Sequence, residues 1–220
     1  MVDWEALGKV VEAASFKPQD VVLEVGAGSG NLTELLAEKS KVTALEKEAD
    51  LVAVLRKKFK DHPKVDVLRG DALKIEYPMY NKIVSNIPYS VSRKLLERFI
   101  VEGFEEAVLV VQKEFAEKLI AQPGHDNYRM VSVLAQSTCE VEYVDSIAPQ
   151  AFRPQPEVES ALVVLRQFFR PLRDYIGFLN TLFSGKNRKL RNILDVGLEY
   201  AELVPRDMPP PVFRQVYASI

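Results

Sequence analysis

The chain has 220 residues, 47% of them hydrophobic and 27% charged, with a net charge of −2 and a pI near 5.9. That length suits one ordinary domain with a modest appendage, and the near-neutral balance means that any nucleic-acid contact must come from a local patch rather than from the global charge. One cysteine, Cys139, and two histidines, His62 and His125, exclude an internal disulfide scaffold and disfavour a structural zinc site or a serine-type triad.

No run approaches the roughly 18 apolar residues that span a bilayer, and no signal peptide is visible at Met-Val-Asp-Trp-Glu, so the expectation is a soluble cytoplasmic protein. Trp4, Leu7, Val10, Val11 and Ala14 recur at helical spacing and predict a helix over Val2 to Ala14. Val21-Val-Leu-Glu-Val25 is a buried-strand run ending in Gly26-Ala-Gly-Ser-Gly30, and Asn31 to Lys39 reads as the following helix. The alternation continues with a strand over Lys41 to Leu45 ending at Glu46, a helix over Glu48 to Lys60, and a strand over Val65 to Leu68 before Gly70-Asp-Ala72. Next come a strand ending at Ser85, a helix over Val91 to Val101, a strand over Glu106 to Val111, and helices over Lys113 to Ile120 and Met130 to Gln136. Two late β-rich runs, Glu140 to Ile147 and Val158 to Gln167, flank the proline-rich loop Ala148 to Pro156. Such alternation predicts an α/β fold with a mostly parallel sheet covered on both faces. A change of character near Phe168 to Pro171 divides the chain into residues 1–168 and a small basic helical unit, 169–220. In that unit Phe178, Leu179, Leu182 and Phe183 form one apolar helix face, Leu190, Ile193 and Leu194 another, and Val212 to Ile220 a last short helix.

Three carboxylates fall at or near successive strand ends. Glu24 precedes the first glycine of Gly26-Ala-Gly-Ser-Gly30, where it would repel a pyrophosphate, and the glycine spacing is not that of a dinucleotide site. An ammonium and a sulfonium suit Glu24 better. Glu46 can accept from two ribose hydroxyls, and Asp71, with the Ala72 N–H, can read an adenine edge. The set describes an S-adenosylmethionine site over Glu24, Gly26, Ala27, Gly28, Gly30, Asn31, Leu32, Glu46, Lys47, Asp71, Ala72 and Asn86, with another nucleotide as the alternative. No metal is expected.

Asn86-Ile-Pro-Tyr89 stands between a strand and a helix, where open α/β sheets bind ligands. The plainer reading is a turn capped by Ser90 or Ser92. The functional one uses the Asn86 side-chain carbonyl and the Ile87 backbone carbonyl to hold an adenine amino group, with its lone pair aimed at the donor methyl. That is positioning and electrostatics rather than proton abstraction. Pro88 stiffens the turn, and Tyr89 can stack on an unpaired or flipped base. The cations Arg170, Arg173, Lys186, Arg188, Lys189 and Arg191, met by Asp174 alone up to Asn192, make a candidate RNA contact, and Lys113 and Lys118 can extend it.

Asn86-Ile-Pro-Tyr89 resembles the N-[LIP]-P-[YF] motif of amino-directed adenine methyltransferases. Together with Glu24 to Thr33, Glu46, Gly70-Asp-Ala72, Gln112-Lys-Glu114, Phe152-Arg-Pro-Gln-Pro-Glu-Val-Glu-Ser-Ala161 and Lys186 to Leu194, the chain resembles the ribosomal RNA adenine dimethyltransferase family. The resemblance implies a Rossmann-like class I S-adenosylmethionine-dependent methyltransferase with a seven-stranded sheet and a small helical C-terminal domain. It implies methylation of two adjacent adenosines near the 3′ end of small-subunit ribosomal RNA to N6,N6-dimethyladenosine, without a metal, on a pre-30S particle, by a protein that is a monomer when free. Phe152 then packs against the target base opposite Tyr89, Arg153 joins the RNA contacts, and Lys186 to Leu194 matches a basic helix region. The G-Q-x-F-L segment usual ahead of the first helix is missing, which bears on what covers the pocket, and Asn187-Arg-Lys replaces the commoner R-R-K. The rivals are a large-subunit RNA adenine methyltransferase, a DNA adenine methyltransferase, for which no target-recognition domain is visible, and an assembly factor with secondary catalysis.

Overall fold

In the computed structural model, which describes residues 1–220, the apolar runs become seven strands: β1 (Val21–Val25), β2 (Lys41–Glu46), β3 (Val65–Arg69), β4 (Lys82–Asn86), β5 (Glu106–Gln112), β6 (Cys139–Ile147) and β7 (Ser160–Gln167). They form one sheet in the order β3-β2-β1-β4-β5-β7-β6. β7 is antiparallel to β5 and to β6, so it alone runs against the rest. The central strands are buried on both faces, which explains their unbroken apolar runs. The mostly parallel, doubly wound sheet expected from the sequence is present.

The helices are α1 (Trp4–Glu12), α2 (Asn31–Lys39), α3 (Ala49–Lys58), α4 (Ser92–Glu102), α5 (Lys113–Ile120), α6 (Met130–Thr138), α7 (Arg173–Ser184) and α8 (Pro210–Ala218). On one face Leu7, Val10, Leu36 and Leu55 cover Val22, Val42 and Val84. On the other, Leu96, Phe99, Leu119 and Leu134 join Leu23, Ile83 and Leu109. Tyr175, Leu179, Leu182, Phe213 and Val216 of α7 and α8 belong to this second apolar cluster, which therefore runs on from the sheet into the C-terminal segment.

Several boundaries differ from expectation. α1 starts at Trp4 because the Asp3 side chain caps it, accepting from Ala6 N–H at 2.9 Å. Neither Ser90 nor Ser92 caps α4; a single 3-10 turn, Tyr89–Val91, leads into it, and the Ser92 hydroxyl donates to the Pro88 carbonyl at 3.2 Å. The helix expected around Leu190, Ile193 and Leu194 is only a 3-10 turn, Leu190–Asn192. Leu190 and Arg191 N–H donate to the Leu203 and Ala201 carbonyls, at 2.8 and 3.2 Å, so the start of the turn pairs with a returning segment and only Asn192, Ile193 and Leu194 N–H bond locally. β7 begins at Ser160, not Val158, and α8 begins at Pro210, where prolines fit a first turn that has no N–H partners to lose.

Candidate active site

The sheet order reverses between β1 and β4, whose C-terminal ends splay apart and open a cleft, the usual ligand position in this architecture. Three cavities there share walls. One of about 320 Å³ lies among Val25, Glu46, Asp71, Ala72, Pro88 and Leu95. A second of about 320 Å³ is lined by Glu24, Gly28, Asn31, Leu32, Asn86 and Arg153. A third of about 270 Å³ lies among Asn86, Ile87, Pro88, Tyr89, Phe152 and Arg153. Gly26 borders the first and second, Asn86 the second and third, and Pro88 the first and third, so the three make one cleft.

Glu24 sits at the base, almost fully buried, accepting from the Thr33 hydroxyl at 2.5 Å. Burial pushes its carboxyl up to about 8, against the opposing pull of the Thr33 hydrogen bond and with the help of nearby Glu46. Glu46 is fixed by backbone donors: Gly28 N–H at 2.9 Å on one oxygen, Lys47 and Glu48 N–H at 2.7 and 3.0 Å on the other. A carboxylate has about four acceptor positions, so about one is left, and two ribose hydroxyls are held only if the Gly28 N–H bond is exchanged. Asp71 accepts from Leu73 N–H at 2.9 Å, and its other oxygen lies 3.6 Å from the Lys47 ammonium. The Leu73 N–H and Lys47 hold it below the usual carboxylate range.

Of the expected cofactor residues, Gly26, Ala27, Gly28, Asn31, Leu32, Lys47 and Ala72 line the cleft with these three carboxylates and Asn86. Gly28, at φ +60°, faces open space, a cradle that a Cβ would begin to fill. Gly30 lines neither cofactor cavity. At φ +82° its missing Cβ would meet Phe59 at 2.7 Å and Leu55 at 2.8 Å, so this glycine serves the packing of α3 against the start of α2.

The acceptor side is built on the end of β4. Ser85 donates to the Val25 carbonyl at 2.5 Å, tying β4 to β1 just before the turn. Asn86 Oδ1 is buried without a hydrogen-bond partner. Ile87 N–H donates to the Val110 carbonyl at 3.2 Å, while its own carbonyl receives no donor from the chain. The Tyr89 hydroxyl meets the Ser160 hydroxyl at 2.5 Å, anchoring the ring from β7. Phe152 borders the same cavity but is only 5% exposed and also belongs to the apolar cluster that holds the proline-rich loop in place. Thr33 and Ser160 stood in the sequence motifs without a role; their signal is their place beside Glu24 and at the start of a strand.

The expected RNA contacts do not form one patch. Arg153 lines the acceptor cavity. Lys186 lies in a groove of about 630 Å³ with Arg93, Lys118, Arg129, Phe115 and Phe183, between α4, α5, α6 and α7. Lys189 and Arg191 both pair with Glu202, which the count of unmatched charges did not reach. Arg188 donates to the Asn192 carbonyl, Arg173 is exposed at the start of α7, and Arg170 donates to the Val101 carbonyl at the opposite end of the sheet from Asn86. His125 is an exposed turn residue, and Cys139 is buried, its thiol pushed up to about 12 by desolvation. No helix is long and apolar enough to cross a membrane.

The family model described as "Ribosomal RNA adenine dimethylase" matches residues 1–203. A "Probable ribosomal RNA small subunit methyltransferase A" of Thermococcus onnurineus is 46% identical over 156 residues, 70% of this chain and 57% of that relative, so the chain spans little more than half of its length. A protein of the same description from Methanosarcina barkeri is 38% identical over 200 residues, 88% of this chain and 70% of its own. Among solved structures, a dimethyladenosine transferase from Plasmodium falciparum superposes with a TM-score of 0.86 at 25% identity, covering 98% of this chain and 95% of that one. The 23S rRNA methyltransferase ErmE superposes with a TM-score of 0.74 at 25% identity, covering 99% and 97%.

Proposed function

The chain belongs to the ribosomal RNA adenine dimethylase family, and from that premise we propose that it transfers methyl groups from S-adenosylmethionine to N6 of adenosines in ribosomal RNA. The finer reading is two adjacent adenosines near the 3′ end of small-subunit RNA, dimethylated within a pre-30S particle. The names of the Thermococcus and Methanosarcina relatives support the small-subunit part of it.

The observation that carries the reading is Asn86, a half-buried amide whose buried oxygen is unpaired, at the junction of two cavities. An orphaned acceptor costs about 1–3 kcal/mol, which an amino donor relieves. The terminal amide torsion is soft, so Oδ1 can turn to an incoming N–H. The Ile87 carbonyl takes the second N–H. With both N–H groups so held, the amino nitrogen presents its lone pair toward the adjoining cavity. Tyr89 and Phe152 form the walls for the base, with Tyr89 held from rotating by Ser160.

The donor set in the adjoining cavities fits S-adenosylmethionine: Glu24 for the ammonium, Glu46 for the ribose, Asp71 and the Ala72 N–H for the adenine, and the open side of Gly28 for close backbone approach. That cofactor supplies an electrophilic methyl on a sulfonium. We assign residues 1–168 to the methyltransferase domain and 169–220 to a small helical unit that shares the RNA contact with it. Arg153 and the Arg93, Lys118, Arg129 and Lys186 groove are assigned to phosphates.

The likeness to ErmE favours a second reading, a large-subunit RNA adenine as substrate. Methyl transfer to purified, unmethylated small subunits, followed by nucleoside analysis, decides: dimethyladenosine in the small subunit is expected. Methylation of a naked large-subunit fragment alone refutes the small-subunit assignment. Asn86→Ala should abolish transfer while cofactor binding survives, and unchanged transfer would overturn the acceptor clamp.

A further inference from the structure

We propose that Arg98, assisted by Tyr77, is a positioning residue that acts through one peptide unit on Asp71 and so sets the selectivity of the cofactor cavity for a 6-aminopurine. The proposal rests on the methyl-transfer reading of that cavity.

The loop after β3 carries Asp71, Ala72 and Leu73 into the cavity wall. It is tight: a Cβ on Gly70 would meet Ile75 Cγ2 at 2.5 Å. The Ala72 carbonyl accepts twice, from the Tyr77 hydroxyl at 2.6 Å and from Arg98 Nη1 at 2.7 Å. Arg98 Nη2 donates to the Ile75 carbonyl at 2.5 Å, and the guanidinium lies 3.9 Å over the Tyr77 ring. Burial keeps the Tyr77 phenol protonated, pushing it up to about 12, so it remains a donor.

The Ala72 carbonyl and the Leu73 N–H belong to the same planar peptide. That N–H is the one that donates to Asp71 Oδ1 at 2.9 Å. Two donors on the carbonyl therefore fix the plane whose other end aims the Asp71 carboxylate, and a cation on the carbonyl strengthens donation from the N–H. Arg98 is the source of every hydrogen bond between this loop and α4. Leu95, one turn earlier on α4, lines the same cavity, and α4 begins directly after the Tyr89–Val91 turn. Only a planar fork reaches two carbonyls while stacking on a ring; a lysine ammonium offers a single point.

The test is calorimetric binding of S-adenosylhomocysteine and of its 6-oxo analogue, S-inosylhomocysteine, to the full chain and to Arg98→Met, Arg98→Lys and Tyr77→Phe. The unmodified chain should prefer the 6-amino compound. Arg98→Met should shrink that preference about fivefold or more by weakening the 6-amino compound, Arg98→Lys should restore little of it, and Tyr77→Phe should shrink it about twofold, the scale of one hydrogen bond acting at one remove. A merely structural role moves both affinities together and leaves their ratio alone. An unchanged ratio in folded Arg98→Lys and Tyr77→Phe overturns the proposal even if Arg98→Met fails to fold. Failure of the unmodified chain to bind either compound overturns the cofactor reading, and the positioning role with it.

Discussion

The Tyr89 hydroxyl is held 2.5 Å from the Ser160 hydroxyl, so a residue of the acceptor turn is locked by the first residue of the one reversed strand in the sheet. Ser160 is fully buried, and its hydroxyl is the one hydrogen-bond partner of the Tyr89 hydroxyl. Ser160→Ala should free the ring and slow methyl transfer about threefold to tenfold with little change in cofactor affinity. Tyr89→Ala should cost more, raising the KM for RNA by the roughly 1–3 kcal/mol that base stacking supplies. Steady-state kinetics with RNA varied at saturating cofactor checks both.

Glu24 gives the free protein a pH dependence of definite sign. Its carboxyl is raised from an ordinary 4.5 to about 8, so the native state holds a proton that the unfolded chain releases. Stability is favoured below pH 4.5 and falls as the pH rises toward about 8, and Glu24→Gln should flatten that slope. A cationic ligand draws out the ionised form, so cofactor binding at pH 7 should release a proton, measurable by calorimetry in buffers of different ionisation enthalpy. Absence of proton release would separate Glu24 from the ligand charge.

At the other end of β4 lies an ion network. Lys82 is 2.8 Å from Glu106 and 3.6 Å from Asp20, and Arg166 is 3.2 Å from Glu106. Burial raises both carboxyls, but hydrogen bonds from Asn81 and the Lys17 N–H to Asp20, and from Lys82 and the Ser15 N–H to Glu106, outweigh it and hold both low. Their stabilisation is present at neutral pH and is lost as the pH falls through the depressed values. Lys82→Met takes the cation from buried Asp20 and leaves buried Glu106 with Arg166 alone, and should cost about 3–5 kcal/mol. Thermal unfolding at pH 7 and pH 4 should show the variant's deficit shrinking in acid.

Lys186 and Lys189 separate by their partners. Lys186 has no ion-pair partner and lies in the groove, whereas Lys189 is already paired with Glu202 at 2.5 Å. Lys186→Ala should lower the slope of log affinity for RNA against log salt by about 0.7–1, one phosphate contact. Lys189→Ala should change it less. Titrations at several salt concentrations distinguish them, and equal effects would remove the groove from the interface.

The sheet and the three strand-end carboxylates were legible because a buried parallel strand must be an apolar run, and a charge at its C-terminal end then stands out. Chemistry that depends on return contacts was not. Glu202 pairs with Lys189 and Arg191 from beyond a turn that brings the chain back, and the same return replaces the expected helix around Leu190 with backbone pairing. Gly30 looked like its neighbours in the glycine run, yet its constraint comes from Leu55 and Phe59, more than twenty residues on. Arg98 sits inside a helix among other charges, and its geometry exists only once the loop after β3 has folded back on it.

The single strand β4 joins two opposite kinds of local balance. Its first residue, Lys82, is paired with two buried carboxylates, and its last, Asn86, is left wanting a partner. Selection for heat resistance and selection for turnover therefore act on different ends of five residues. An apolar isostere at Asn86 relieves a frustrated amide and hardens the protein while silencing it, whereas reinforcement around Lys82 leaves the rate alone.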